Sequence, residues 1–151
     1  MHVTTPMTRE VTVVPPELGL DVAYRIMQRK RIRHLPVAAG GELLGMLSDR
    51  DVLTHARLSD DGALIVPAIS CGVAMTPSPA TCDADATVDQ VVRVMTERKI
   101  DALPVVAPSG RLVGLVTSTD LLLLLLNPPE AQPLPYRFEL EELQEEPRAE
   151  A

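Results

Sequence analysis

The stretch GMLSDRDVL at 45–53 returns as GLVTSTDLL at 114–122, and this duplication constrains the fold more than any other feature of the chain. Sliding the sequence by 68 positions lays Met7-Thr8 on Met75-Thr76, Asp21 on Asp89, and RIMQRKRIRHLPV (25–37) on RVMTERKIDALPV (93–105). After one inserted residue, Gly45, Ser48 and Asp51 fall on Gly114, Thr117 and Asp120. The first repeat therefore ends near residue 57, with its similarity starting near residue 7 behind a short N-terminal segment, and the second occupies about 75–126. A repeat of roughly 50 residues buries too little surface to stand comfortably alone. The two copies are therefore expected to pack sheet to sheet about a pseudo-twofold axis, with ligand clefts between them.

Each copy carries the same order of patterns. A short apolar stretch (11–14; 80–82) comes first, followed by apolar residues at helical spacing: Leu18, Val22, Ile26 and Met27, then Val88, Val91, Val92 and Met95. Next come IRHLPVAA and IDALPVVA, strands with a proline near the middle that is predicted to sit at an edge or a bulge, because it has no N–H to donate. Gly40-Gly41 and Ser109-Gly110 supply hairpin turns into ELLGMLS and RLVGLVT, and a last helix begins at Ser48 or Thr117. The reading is an α+β fold, β-α-β-β-α written twice. Aromatic residues make up only 2% of a chain that is 46% hydrophobic, so the core must be aliphatic.

Charge and composition exclude several classes. A balance of 14 basic against 21 acidic residues argues against a nucleic-acid surface. Cys71 and Cys82 form no CxxC and lie near no His at ligand spacing, so they read as apolar fillers, with no metal site. The opening residues lack a signal-peptide pattern, and the leucine run at 121–126 is too short to span a bilayer, so a cytoplasmic protein without a membrane association is expected. Residues 58–74 read as a partly apolar connector. From 127 to 151 the chain is proline-rich and then acidic, with a short amphipathic stretch at Phe138, Leu140 and Leu143. No Walker loop, paired carboxylates with a facing base, or Cys/His dyad is present, so no catalytic residue is assigned and an enzyme is not expected.

The repeated Gly-h-h-Ser/Thr-x-x-Asp (h, hydrophobic) admits two readings. Ser48 with Asp51, and Thr117 with Asp120, have the spacing of a helix-capping box. The same first turn also suits a ligand: an Asp can accept both hydroxyls of a ribose, and unpaired N–H groups favour an anion. Met27 and Met95 read as core, His2 and His55 as surface. Arg29, Lys30 and Arg31 form a basic end to the helix, favoured by its dipole.

The two copies resemble CBS domains, the cystathionine β-synthase type, and the pair resembles a stand-alone Bateman module. The LPV strand and the G-h-h-S/T-x-x-D signature occur in both, in the family's order, over about 110 of the 151 residues. The resemblance implies a regulatory sensor of an adenosine-containing ligand (AMP, ADP, ATP or S-adenosylmethionine) that needs no obligatory cofactor. It implies action through a regulated partner protein or through homodimers. By position, Asp51 and Asp120 would hold ribose hydroxyls with Ser48 and Thr117 assisting. The backbone of 32–34 and of 100–102, with His34, Ile100 and Ala102, would meet the adenine of the opposite site, the Arg33 side chain would reach phosphate, and segments 8–12 and 76–82, including Thr12 and Thr81, would line the clefts.

The charges differ between copies. Arg33 and Arg50 accompany Asp51, whereas Asp101 and Thr119 stand in the corresponding places beside Asp120. A partly desolvated charge pair is worth several kcal/mol at an effective dielectric of about 20. The Asp51 site is therefore expected to prefer a phosphorylated nucleotide. The Asp120 site is expected to take a neutral nucleoside, a cationic ligand such as S-adenosylmethionine, or nothing. The competing reading is an interaction module whose clefts stay empty.

Overall fold

A computed structural model describes residues 1–3, 6–8, 10–126 and the backbone of 139–142. The elements run β1 (Glu10–Val13), α1 (Leu20–Lys30), β2 (His34–Ala39), β3 (Glu42–Ser48), α2 (Asp49–His55), β4 (Arg57–Leu58), β5 (Leu64–Ile65), α3 (Cys71–Ala74), β6 (Thr76–Pro77), β7 (Cys82–Asp83), α4 (Val88–Arg98), β8 (Ala102–Val106), β9 (Leu112–Thr117), α5 (Ser118–Leu126) and β10 (Glu139–Glu142). The fold is α+β, and the β-α-β-β-α order appears twice. The connector holds a small β4–β5 hairpin and the one-turn α3. Of the tail, residues 139–142 form a strand paired with β1; the remainder, including Phe138 and Leu143, lies outside the described residues.

The chain divides into two compact units, Thr12–Ser78 with Glu141–Ala151, and Met1–Val11 with Pro79–Leu140. In the unit that begins at Thr12, β2, β3 and β6 form a sheet in that order. Helix α1 buries Leu20, Ala23, Ile26 and Met27 on one face; of the residues read as periodic, Ile26 and Met27 lie on it, whereas Leu18 is buried ahead of the helix and Val22 is half-buried. These meet Leu35, Val37, Leu47 and Val52, together with Cys71 and Ala74 of α3. In the other unit β7, β8 and β9 form the sheet, and Val91 and Met95 of α4 pack on Leu103, Val105 and Val116. Met27 and Met95, Leu35 and Leu103, and Val37 and Val105 are the same positions of the repeat, so each unit builds its aliphatic core from one set of instructions. Fully burying such a side chain contributes about 1.5–3 kcal/mol.

The units do not coincide with the sequence repeats: the connector joins the unit that begins at Thr12, and the opening segments change places. Met7, which opens the first repeat, is buried in the core of the second unit, and Thr8 pairs with Leu115 of β9. Met75 packs on the first unit's core, and Thr76 pairs with Met46 of β3. Each repeat thus surrenders its opening Met-Thr to the sheet built by the other.

Turn chemistry follows the sequence. Gly40 and Gly41 have φ of 59° and 80°, the two positive values that a two-residue type I′ hairpin requires. Both prolines lie just before a bulge, between Val37 and Ala38 in β2 and between Val105 and Val106 in β8. Strand β2 is bordered on its outer side by the single Val14–Val37 bridge, and β8 is paired on both sides. Its other neighbour, β7, pairs only with Val105 and Val106, so the N–H that Pro104 lacks is not needed there.

Candidate functional site

Strand β3 ends at Ser48, whose extended backbone (φ −114°, ψ 162°) turns the chain into α2. A capping box forms there. Asp51 N–H donates to Ser48 Oγ (3.2 Å), and Ser48 N–H donates to Asp51 Oδ2 (2.8 Å). The Ser48 hydroxyl also donates to Oδ2, at 3.0 Å. Two groups that folding would otherwise leave without partners satisfy each other, and the carboxylate is fixed by one oxygen. Among the described residues no hydrogen bond reaches Asp51 Oδ1 from the protein.

The second copy repeats the geometry. Thr117 N–H donates to Asp120 Oδ2 at 2.8 Å and its hydroxyl at 3.0 Å, while Asp120 N–H donates to Thr117 Oγ1 at 3.3 Å. The capping reading therefore holds in both copies. It does not exhaust the carboxylates, because a box engages one oxygen and leaves the other for a further donor.

The sheets bring other expected residues to these boxes. His34 lies directly across β2–β3 from Ser48, and Asp49 N–H donates to the Arg33 carbonyl at 3.0 Å. Ala102 lies across from Thr117, and Ser118 N–H donates to the Asp101 carbonyl at 2.9 Å. Ile100 is half-buried just before Ala102. Arg33 and Arg50 are exposed, as are Asp101 and Thr119. Exposure shrinks the worth of each such charge from the several kcal/mol of a desolvated pair to about 0.2–1 kcal/mol. Thr12 is half-buried in β1 and Thr81 is exposed before β7; no hydrogen bond or strand pairing among the described residues joins either to a box.

Two sets of contact partners escaped the reading of the sequence, which places segment 8–12 along a cleft without pairing Thr8 with Asp120. The Thr8 hydroxyl donates to Asp120, 3.3 Å from Oδ2 and 3.4 Å from Oδ1. The repeat alignment could have pointed to it, since Met-Thr opens both copies. The motif glycine has a steric reason: a Cβ on Gly45 would overlap Met75 Sδ and lie 2.8 Å from the Thr76 carbonyl oxygen, and one on Gly114 would overlap Met7 Sδ.

Cys71 and Cys82 are free; burial, with Asp21 adding to it, pushes the Cys71 thiol up to about 12, and burial with Asp83 pushes Cys82 up to about 11. Both are neutral near pH 7 and read as packing groups. His55 Nδ1 lies 3.0 Å from the Asp51 carbonyl oxygen and His2 Nδ1 lies 3.1 Å from that of Asp85, both at exposed positions. Among the described residues no group of three His, Cys, Asp or Glu is placed to hold a metal ion, and no helix is long and apolar enough to cross a membrane.

The duplicated sheet, its paired boxes and the family comparison agree: the CBS domain model matches residues 2–57 and 69–127. The chain belongs to the CBS domain family. The CBS domain pair of protein MJ0100, solved in complex with 5′-methylthioadenosine and S-adenosyl-L-methionine, is similar at 25% identity and a TM-score of 0.71, over 83% of this chain and 99% of that one. CBSX2, solved in complex with AMP, is 27% identical with a TM-score of 0.71, over 83% of this chain and 96% of that one. Inosine-5′-monophosphate dehydrogenase of Korarchaeum cryptofilum is 38% identical over 112 residues, 74% of this chain. The CBS pair spans 22% of that enzyme's length, and similarly small shares of the next two curated relatives.

Proposed function

We propose that this chain is a non-catalytic, cytoplasmic regulatory module that binds an adenosine-containing ligand, with Asp51 as the principal ribose clamp. The observation that carries the reading is the Asp51 carboxylate. Ser48 fixes it through Oδ2, and Oδ1 receives no hydrogen bond among the described residues. A carboxylate held rigid on one side and open on the other is preorganised for a hydroxyl donor. Arg33 and Arg50 give this clamp a local positive charge that Asp101 and Thr119 deny to the other. Similar CBS pairs solved with AMP and with S-adenosyl-L-methionine support the ligand class.

Titration calorimetry with AMP, ATP and S-adenosylmethionine tests the proposal. We expect Asp51→Ala to weaken AMP at least ten-fold and Asp120→Ala to weaken it less; equal losses would contradict the assignment. Arg33→Glu should weaken AMP about three- to ten-fold through charge while leaving adenosine nearly unchanged. A matching loss for adenosine would remove Arg33 from the phosphate.

The ligand's message must leave through another surface. Helix α5 exposes Leu122, Leu125 and Leu126 to 62%, 80% and 76%. Apolar side chains this open mark a contact surface, and we assign it to self-association or to a regulated protein. One observation favours a second reading, an interaction module without ligand: the capping boxes are complete, so capping alone accounts for Ser/Thr-x-x-Asp. Absence of any thermal shift across an adenine-nucleotide panel would select it.

A further inference from the structure

The two opening Met-Thr segments lie beside their glycine-bearing strands in the same register, Thr8 opposite Leu115 and Thr76 opposite Met46. Their hydroxyls behave differently. Thr8 is half-buried and its single proton is shared across both oxygens of Asp120, at 3.3 and 3.4 Å. Thr76 is exposed, and among the described residues no hydrogen bond joins it to Asp51.

A vicinal diol needs a carboxylate edge that can accept two O–H donors. Asp120 Oδ2 already accepts the Thr117 N–H and hydroxyl, and the remaining edge is covered by Thr8. Asp51 meets the same demands from Ser48 and keeps Oδ1 open.

We propose that Thr8 is a latch on the second clamp: its hydroxyl occupies the edge of Asp120 that a sugar diol would use, so the Asp51 clamp fills first. The proposal rests on the ribose-clamp reading above. It adds a specificity-determining residue, and it makes the inequivalence of the clamps independent of the phosphate charge. The latch bonds are long and shared, so their release costs little and shifts affinity without forbidding the second site.

The test uses the full chain with adenosine, which carries no phosphate and is therefore insensitive to Arg33. In an Asp51→Ala background only the Asp120 clamp remains. Adding Thr8→Val, which keeps the shape and removes the donor, should tighten adenosine about five-fold, the scale of one hydroxyl hydrogen bond. Adding Thr8→Ser, which keeps the donor, should leave adenosine unchanged and shows whether position 8 tolerates substitution. Unchanged or weaker binding in the Thr8→Val chain overturns the latch, as does a second clamp that binds nothing in any of these backgrounds. If the unsubstituted chain itself takes up no adenosine or AMP, the ribose-clamp reading fails as well, so the two failures are told apart by that single titration.

Discussion

At the scale of single residues, the motif glycines owe their identity to a neighbour distant in sequence. Gly45 and Gly114 make room for a methionine sulfur arriving from the opening segment of the other repeat. Adding a methyl group forces that side chain and the adjoining backbone to shift, which costs about 1–3 kcal/mol. Gly45→Ala is the harsher case, because the Thr76 carbonyl oxygen also stands in the way. Urea denaturation should show both variants destabilised and Gly45→Ala the more so. Equal stability to the unsubstituted chain would mean that the methionines move aside freely. Arg31 and Lys99 show the opposite economy. Both end their helices at φ 54°, a left-handed value usually left to glycine. Both are cationic residues at a helix C-terminus, where the dipole favours positive charge.

At the scale of elements, most of the fold was legible because it was written twice. The Ile26–Met27 and Val91–Met95 contacts, the two-residue Gly40-Gly41 turn and the switch from strand to helix at Ser48 and Thr117 follow from periodicity and turn chemistry, whereas Val92, counted on the apolar face of α4, is 40% exposed. The proline rule, an edge or a bulge, is met by a bulge in both strands. The site was legible in its boxes and in the strand residues that face them. The Thr8–Asp120 bond and the Met7 contact were not, since both depend on which sheet the opening segment joins. Leu35 tests the shared core. It is fully buried between α1 and the sheet, so Leu35→Ala should cost about 2–5 kcal/mol by denaturant unfolding. A loss below 1 kcal/mol would show that the site collapses around the missing atoms.

At the scale of the whole molecule, the duplicated plan has diverged at its ends. None of the nine residues of α5 is buried, whereas α2, at the same place in the first repeat, buries Val52. The second copy has turned its last helix into an apolar surface. If that surface carries self-association, Leu122→Glu with Leu125→Glu should shift the chain toward monomer in light scattering while leaving its melting temperature within a few degrees. A monomer before the substitution, or a dimer after it, would assign the leucines elsewhere.

The exchange of Met7-Thr8 and Met75-Thr76 carries a consequence for anyone who would divide this gene. A fragment stopping at residue 57 would keep the β2–β3 hairpin and two helices but forfeit the β6 segment beside Gly45, and its complement would lack the Met7-Thr8 segment beside Gly114. Neither piece is then an autonomous ancestor of the whole. A half made alone would complete its sheet only if a second copy lent it the missing leading segment.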